Sequence, residues 1–144
     1  MMISTKGRYA LRVLIDMAEH QAQGYVPLKE IAARQEISEK YLESIVKTLV
    51  QAGILTGLRG KGGGYRLGVS PEQCTVERVL TLMEGTLAPV ACLDARNNSG
   101  CARMVDCRTL AMWQGLDRVI GEYLRKFTIA DLMRIDEPGN DYVI

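Results

Sequence analysis

Three of the four cysteines in this sequence lie close together, in the segment CLDARNNSGCARMVDC at residues 92–107, here named the cysteine segment. The segment is polar and shows neither the period of a helix nor that of a strand. Thiolates are soft ligands that suit zinc and the iron of iron–sulfur clusters, and accessible thiols are also sites of oxidation. The alternatives for Cys92, Cys101 and Cys107 are therefore a cluster, a zinc site, reactive thiols, or three small buried apolar side chains.

The length and the composition limit where such thiols would act. A chain of 144 residues suits one ordinary domain, or a small domain with an extension. We find no basic leader with an apolar core, and no apolar run near the ~20 residues of a membrane helix. We therefore expect a cytoplasmic protein without a membrane partner. In that reducing compartment, clustered cysteines are more often ligands or reactive groups than disulfide partners.

The charge is unevenly distributed along the chain, although the net charge is only +1. Residues 1–66 carry ten Lys and Arg against six Asp and Glu, whereas residues 67–144 carry eight against eleven. A polyanion would therefore bind the N-terminal half in preference to the C-terminal half.

The N-terminal half is predicted to contain three helices. ISTKGRYALRVLIDMAEHQ, residues 3–21, has apolar residues at helical spacing after a Ser4 or Thr5 cap. The following thirty residues, from Val26, contain two short amphipathic segments separated by Ser38, a good N-cap, and Gly53 is a plausible stop for the second. This pattern predicts a helix-turn-helix.

A glycine-rich basic hairpin is predicted directly after these helices, in ILTGLRGKGGGYRLG at residues 54–68, here named the wing. It lacks the lysine–hydroxyl pair of a phosphate-binding Walker loop. Flexible hairpins and helix pairs are common in other proteins, but this order of elements is that of a winged-helix DNA-binding domain. The predicted fold is therefore mainly α with a small β hairpin, with a winged helix-turn-helix domain at 1–70 and the cysteine loop and dimerisation region at 71–144.

Ten residues are predicted to contact double-stranded DNA. We expect Arg59 to enter the minor groove with the wing around it, and the second helix of the pair to face the major groove or its phosphates. The set is Ser38, Lys40, Tyr41, Glu43, Ser44, Lys47, Arg59, Gly60, Lys61 and Gly62. Among them Glu43 would be repelled by phosphates unless it accepts a hydrogen bond from a cytosine amino group.

Besides the three cysteines, the sequence contains the motifs STKGRYAL, ISEKYLESIVKTL, LRGKGGGYRL and FTIADL. Together these features resemble a family of winged-helix transcription regulators that includes IscR, NsrR and CymR. The resemblance covers nearly the full length and is closest to the IscR branch. Eight residues separate Cys92 from Cys101, and five separate Cys101 from Cys107, as in the cluster-binding loop of that branch. The resemblance implies a homodimer that binds a palindromic operator, with an iron–sulfur cluster on the three cysteines. A two-iron two-sulfur cluster is favoured over a four-iron four-sulfur one.

Two departures from the family pattern concern the fourth ligand. The family histidine three residues after the last cysteine is Leu110 here, and the helix-one carboxylate of NsrR-like members is Arg8. Asp94, Asp106 and His20 are other donors in this chain, and a partner chain is a further source. We expect Cys74 to pack in the core, and Cys107 to lie at the start of the next helix, where backbone N–H groups lower a thiol pKa.

The C-terminal region contains an apolar seam at three- and four-residue spacing, which would pack either on a partner or on the chain's own first domain. The resemblance implies that it is a dimerisation helix. Its members are Trp113, Leu116, Ile120, Tyr123 and Phe127. The leading function is a DNA-binding regulator that responds to cluster status. The alternative is a cluster-free regulator controlled by thiol oxidation, zinc or a protein partner. No substrate-cofactor motif or convergent acid–base set appears, so the sequence does not predict an enzyme.

Overall fold

The computed structural model describes residues 2–97 and 100–134, and the last ten residues of the predicted C-terminal region lie outside them. The elements, in chain order, are α1 Thr5–Glu19, α2 Leu28–Gln35, α3 Glu39–Gln51, β1 Leu55–Leu58, β2 Gly64–Leu67, α4 Val76–Glu84, α5 Leu110–Arg125 and α6 Ile129–Met133. Single 3-10 turns occur at Gln21–Gln23, Ala91–Leu93 and Met104–Asp106. This architecture confirms the predicted mainly α fold with a small hairpin. Within the described ranges, no helix has both the length and the apolar character needed to cross a membrane.

The helix-turn-helix is formed by α2 and α3, as predicted. Glu36, between them, has a positive φ of 55°, which turns the chain after α2. Ser38 caps α3 by accepting a hydrogen bond from the Tyr41 backbone N–H at 3.1 Å. Gly53 follows α3 with a φ of 78°, a conformation that favours glycine and ends the helix. The predicted N-cap and stop are therefore both confirmed.

The wing is an antiparallel hairpin in which Leu55 pairs with Leu67 and Leu58 with Gly64. Val26 forms a bridge with Tyr65 through two backbone hydrogen bonds of 2.8 and 2.9 Å, so the segment before α2 extends the sheet. A Cβ on Gly64 would collide with the Val26 carbonyl, and this close approach of two backbones requires glycine. The sequence predicted the hairpin but not its connection to Val26.

One hydrophobic core joins the winged helix to the C-terminal region. It contains the apolar faces of α1, α2 and α3 together with Cys74, Val79 and Ile129. Cys74 is 2% exposed, which confirms the prediction that it packs in the core, and this burial raises the pKa of its thiol. The backbone N–H of Ile129 donates to the Cys74 carbonyl at 2.9 Å. Residues on both sides of the predicted 70/71 boundary therefore share this core.

A buried carboxylate connects α1 to α2. Asp16, which is 3% exposed, accepts hydrogen bonds from Arg34, of 2.7 Å from Nη2 and of 3.0 and 3.3 Å from Nε, and one of 2.9 Å from the Gln35 amide. Burial by itself raises the pKa of Asp16, but these hydrogen bonds and the Arg34 charge outweigh it and lower the pKa. Asp16 is therefore a paired charge that holds α2 against α1.

The predicted seam on α5 is divided between two directions. Ile120 and Phe127 pack inside the chain against a second apolar cluster of Val76, Leu80 and Leu87. Two of the five predicted seam residues therefore face the α4 region of their own chain, and the dimerisation role of α5 stays a prediction. Four large apolar side chains of α5 remain exposed and are named the outer stripe: Met112, Leu116, Val119 and Tyr123. Their exposed fractions are 57%, 41%, 56% and 42%, and they recur at four-, three- and four-residue spacing.

Candidate nucleic-acid interface and cysteine segment

One face of α3 is polar and exposed, and the opposite face is buried. The polar face contains Lys40, Glu43, Ser44 and Lys47 at one-turn spacing. The buried face contains Leu42, Ile45, Val46 and Leu49. The core fixes the rotation of α3, so its polar side chains point to the outside of the domain.

The wing lies beside this face of α3. A hollow of about 680 Å³ separates the two elements, and its lining includes Glu43 and Lys47 from α3 together with Arg59 and Gly60 from the wing. Gly60 has a φ of 93°, which sets the turn at the tip of the wing directly after Arg59. Acidic and basic side chains both line the hollow, so it is not a uniformly basic channel.

The ten predicted DNA contacts are all exposed, but the structure does not place them in one groove. Lys61 and Gly62 lie at the tip of the wing, outside the lining of the hollow. Ser38 and Tyr41 line a second, smaller hollow at the helix-turn-helix turn, together with Thr5 and Tyr9 of α1. The candidate surface is therefore a broad face formed by α1, α3 and the wing.

Sequence reasoning missed the contribution of α1 to this face. The rings of Tyr9 and Tyr41 lie edge to face, with centroids 5.8 Å apart, and the Arg12 guanidinium lies 5.0 Å from the centre of the Tyr9 ring. The signal was present, because Thr5, Tyr9 and Arg12 recur at one-turn spacing opposite the apolar face of α1. This aromatic contact couples the position of α3 to that of α1.

The three cysteines occupy different local structures. Cys92 lies in the 3-10 turn Ala91–Leu93, Cys101 is exposed, and Cys107 follows the turn Met104–Asp106. All three are free thiols. In the described part of the chain, no three Cys, His, Asp or Glu side chains converge well enough to hold a metal ion. The donor type fits an iron–sulfur cluster, but the structure does not bring the three thiols together.

Cys107 has the environment of a reactive thiol. The Thr109 hydroxyl lies 3.4 Å from Cys107 Sγ, and this hydrogen bond, with the backbone N–H groups of Thr109 and Leu110, lowers the pKa of the Cys107 thiol. Cys107 precedes α5 by three residues, so the prediction that it lies at the helix start is wrong by about one turn. The backbone N–H groups of Thr109 and Leu110 lower this pKa in the predicted direction, after the larger effect of the Thr109 hydroxyl.

The alternative donors for a fourth ligand are engaged elsewhere or lie apart. The Asp94 carboxylate binds the Arg96 guanidinium through contacts of 3.1 and 2.8 Å, and this hydrogen bonding lowers the pKa of Asp94. The ring Nδ1 of His20 lies 2.7 Å from the Asp16 carbonyl oxygen, at the end of α1. Leu110 is the first residue of α5, and Arg8 donates to the Thr5 hydroxyl at 3.1 Å.

The chain matches one protein family over residues 3–135, the Rrf2 family, described as an iron-dependent transcriptional regulator. It is 40% identical over 134 residues to the protein rrf2 of Nitratidesulfovibrio vulgaris, covering 93% of this chain and 88% of that protein. It is 35% identical over 133 residues to the transcriptional regulator IscR of Aliivibrio salmonicida, covering 92% of this chain and 77% of that protein.

Solved structures give a similar result. The structure of CymR, the global cysteine regulator of B. subtilis, has a TM-score of 0.78 at 32% identity, covering 95% of this chain and 99% of that one. The structure of T. potens IscR has a TM-score of 0.75 at 30% identity, covering 100% of this chain and 94% of that one. The chain is therefore similar in fold to both an IscR and a CymR structure.

Proposed function

This chain belongs to the Rrf2 family of transcriptional regulators, which are DNA-binding proteins and not enzymes, and we propose that α3 and the wing bind its operator together. The observation that carries this proposal is the position of the wing beside the exposed polar face of α3, with Arg59, Lys47 and Glu43 around one groove. An α-helix fits the major groove of B-DNA, and a wing beside it reaches the adjacent minor groove.

Each polar residue of this surface has a role that its chemistry supports. Lys40 and Lys47 neutralise phosphates, which supplies affinity without sequence information. Arg59, carried on the turn that Gly60 sets, enters the narrow minor groove, where the negative potential is strongest. Glu43 accepts a hydrogen bond from a cytosine amino group and thereby restricts the set of bound sequences.

Replacing Arg59 by Ala is expected to weaken operator binding by about 1 to 3 kcal/mol, because the side chain reads groove shape and its backbone position is fixed by the wing. A gel-shift titration at fixed salt concentration measures this change. Arg118→Ala is the matched control, because it removes the same charge from an exposed position on α5. Equal affinities of the Arg59 variant and the control would contradict the proposed role of the wing.

We propose that the protein acts in the cytoplasm as a homodimer on a palindromic operator. The outer stripe supports the dimer, because its four large apolar side chains lie on one face of α5 and remain 41% to 57% exposed. Their four-three-four spacing is that of a helix seam that packs against another helix. A two-fold axis through this seam would present two wings to two half-sites.

Placing a charge in the outer stripe by Leu116→Glu is expected to weaken the dimer by at least about 1.4 kcal/mol, a ten-fold change, because the carboxylate would have to be buried without a partner. Sedimentation velocity across a concentration series measures the dimer constant. Gln114→Glu is the control, since it adds the same charge to an exposed position of α5 outside the stripe. Equal dimer constants for both variants would exclude this face as the interface.

We further propose that Cys92, Cys101 and Cys107 hold an iron–sulfur cluster that regulates operator binding. Their thiol chemistry fits the group, and all three are accessible enough to reach a ligand. A bound cluster, of the two-iron two-sulfur type by preference, supplies sensitivity to iron supply and to oxidants. In the described part of the chain, the three thiols do not already form a site of three converging donors.

A second candidate mechanism is a cluster-free thiol switch. The observation that favours it is the combination of an exposed Cys101 with a lowered pKa at Cys107, since thiolate character and exposure together promote oxidation. The similarity to CymR, named as a cysteine regulator, is consistent with this candidate, as are zinc or a protein partner as the signal. An ultraviolet–visible spectrum of anaerobically purified protein distinguishes a cluster from the thiol switch.

A further inference from the structure

The last residue of α4 holds the first turn of α1. Glu84 Oε1 accepts hydrogen bonds from the Ser4 backbone N–H at 2.9 Å and from the Ser4 hydroxyl at 2.6 Å. Ser4 in turn caps α1 by accepting from the Gly7 backbone N–H at 3.1 Å. A Cβ on Gly7 would collide with the Glu84 carboxylate, so the contact between the two helix ends is close. The start of α1 is therefore positioned by the end of α4.

The residue after Glu84 carries part of the cysteine segment. Gly85 has a φ of 81°, and a Cβ there would collide with the guanidinium of Arg96. Asp94 fixes the Arg96 side chain through its bidentate contact and also accepts a hydrogen bond of 2.9 Å from the Arg96 backbone N–H. Since Asp94 lies two residues after Cys92, the chain around this cysteine rests directly on the C-terminal end of α4.

The helix α1 also contacts α3, which forms part of the candidate DNA-binding surface. The helix α1 is continuous over fifteen residues, from the Ser4 cap past Tyr9. The Tyr9 ring contacts Tyr41 in the first turn of α3, as described above. The first turn of α1 is therefore connected to the N-terminal end of α3 by one continuous helix and one aromatic contact.

We propose that Glu84 is a positioning residue that couples the state of the cysteine segment to the DNA-binding helices, through Arg96 and Gly85 on one side and Ser4 on the other. This inference depends on the proposed function, in which the state of the cysteines controls operator binding. Because the Arg96 guanidinium lies against Gly85, a ligand on Cys92 that reorients the adjacent residues 94 to 96 would also change this contact. The hydrogen bond of 2.8 Å from the Gly85 N–H to the Thr81 carbonyl ends α4, so a change at Gly85 reorients Glu84 and releases Ser4.

The test compares operator affinity in two states of the same protein. One state is reconstituted anaerobically with ferrous iron and sulfide, and the other is treated with an iron chelator. We expect the wild-type affinities to differ by roughly five-fold or more, the range of ordinary allosteric coupling. In Glu84→Ala the ratio of the two affinities should fall to about one, because Ser4 loses its contact with α4. Diamide-oxidised and reduced proteins, compared in the same way, cover the thiol-switch mechanism.

Three further variants separate coupling from simple helix capping. Glu84→Gln should keep the wild-type ratio, since an amide oxygen can accept both hydrogen bonds from Ser4. Arg96→Ala should also bring the ratio of the two affinities to about one, because it removes the contact with Gly85. Arg96 is exposed, so this substitution leaves the core intact. Glu72→Ala, at an exposed turn, should change nothing. Hydrogen exchange of the first turn of α1 should differ between the two states in wild type and not in Glu84→Ala.

The outcomes distinguish this inference from the function on which it rests. If wild type shows equal affinities in every pair of states, the proposed regulation by the cysteines is wrong, and the coupling falls with it. If wild type shows the difference and both Glu84→Ala and Arg96→Ala retain it, only the coupling route is overturned. A purely capping role would lower the melting temperature of Glu84→Ala equally in both states and leave the affinity ratio unchanged.

Discussion

Replacing Arg34 by Ala is expected to lower the free energy of unfolding by about 3 kcal/mol, because it leaves the Asp16 carboxylate buried without its cation. Removing one partner of a buried ion pair costs about 3 to 5 kcal/mol, and the lower end applies here since Gln35 still donates to Asp16. Urea denaturation at neutral pH measures the change. The loss is large for a domain whose total stability is of the order of 5 to 15 kcal/mol.

The pH dependence of this loss follows from the lowered pKa of Asp16. A carboxyl group with a lowered folded-state pKa contributes stability above its ordinary pKa of 3.8, and that contribution disappears as the pH falls through the folded-state value. The difference between wild type and Arg34→Ala should therefore narrow below pH 3.8. A difference that stayed constant on acidification would show that Arg34 acts by packing alone.

Two variants serve as controls for Arg34→Ala. Lys29→Ala removes a cation from an exposed position on the same helix and should leave stability nearly unchanged. Adding Asp16→Asn to Arg34→Ala should recover part of the loss, because no charge then remains to be buried. If the double variant is less stable than Arg34→Ala, the assignment of the loss to an unpaired charge is wrong.

The sequence predicted the winged helix well because its signals are local. Ser38 and Gly53 mark the ends of α3, and the glycines at the tip of the wing need no distant partner to be recognised. The connection of Val26 to Tyr65 was not predictable in this way, because it is a backbone pairing between residues far apart in the chain. The local sign of this pairing is Gly64, where a Cβ would collide with the Val26 carbonyl. A glycine among other glycines in the sequence does not identify that distant partner.

The seam on α5 shows the limit of periodicity. Trp113, Leu116, Ile120, Tyr123 and Phe127 fit helical spacing, but spacing does not show how an apolar arc divides between the chain's own core and a partner. The second apolar cluster decides this, because Val76, Leu80 and Leu87 of the α4 region take up Ile120 and Phe127. Met112 and Val119, absent from the prediction, complete the outer stripe instead. The asymmetry of the arc depends on tertiary packing.

The cysteine segment shows a different limit, since residue types predicted its chemistry but not its conformation. Three thiols in one polar segment indicate a shared ligand, whereas the described residues do not form a site of three donors, and Asp94 is paired with Arg96. A ligand that recruited Asp94 would have to break this ion pair, so its binding would have to supply that free energy. Substitution of the three cysteines is therefore the direct test of which ligand they bind.

Replacing Cys101 by Ala is expected to abolish stable cluster incorporation, because two thiolates of one segment leave too many iron positions open to solvent. The same loss is expected for Cys92→Ala and Cys107→Ala. The measurement is the iron and sulfide content after anaerobic reconstitution, together with the visible spectrum. In wild type, Leu110 and Arg8 supply no fourth donor, so we also expect its cluster to be lost to oxygen more readily than one held by four protein sulfurs.

Cys74→Ala is the matched control for these variants, since it removes a thiol that is 2% exposed and part of the core. It should incorporate the cluster as wild type does, with only a small loss of stability from the vacated volume. Equal iron, sulfide and spectra in Cys101→Ala and wild type would exclude Cys101 as a ligand. A colourless wild-type protein after reconstitution would exclude the cluster itself. Thiol oxidation would then be the better account of regulation, because Cys101 is exposed and the pKa of the Cys107 thiol is lowered.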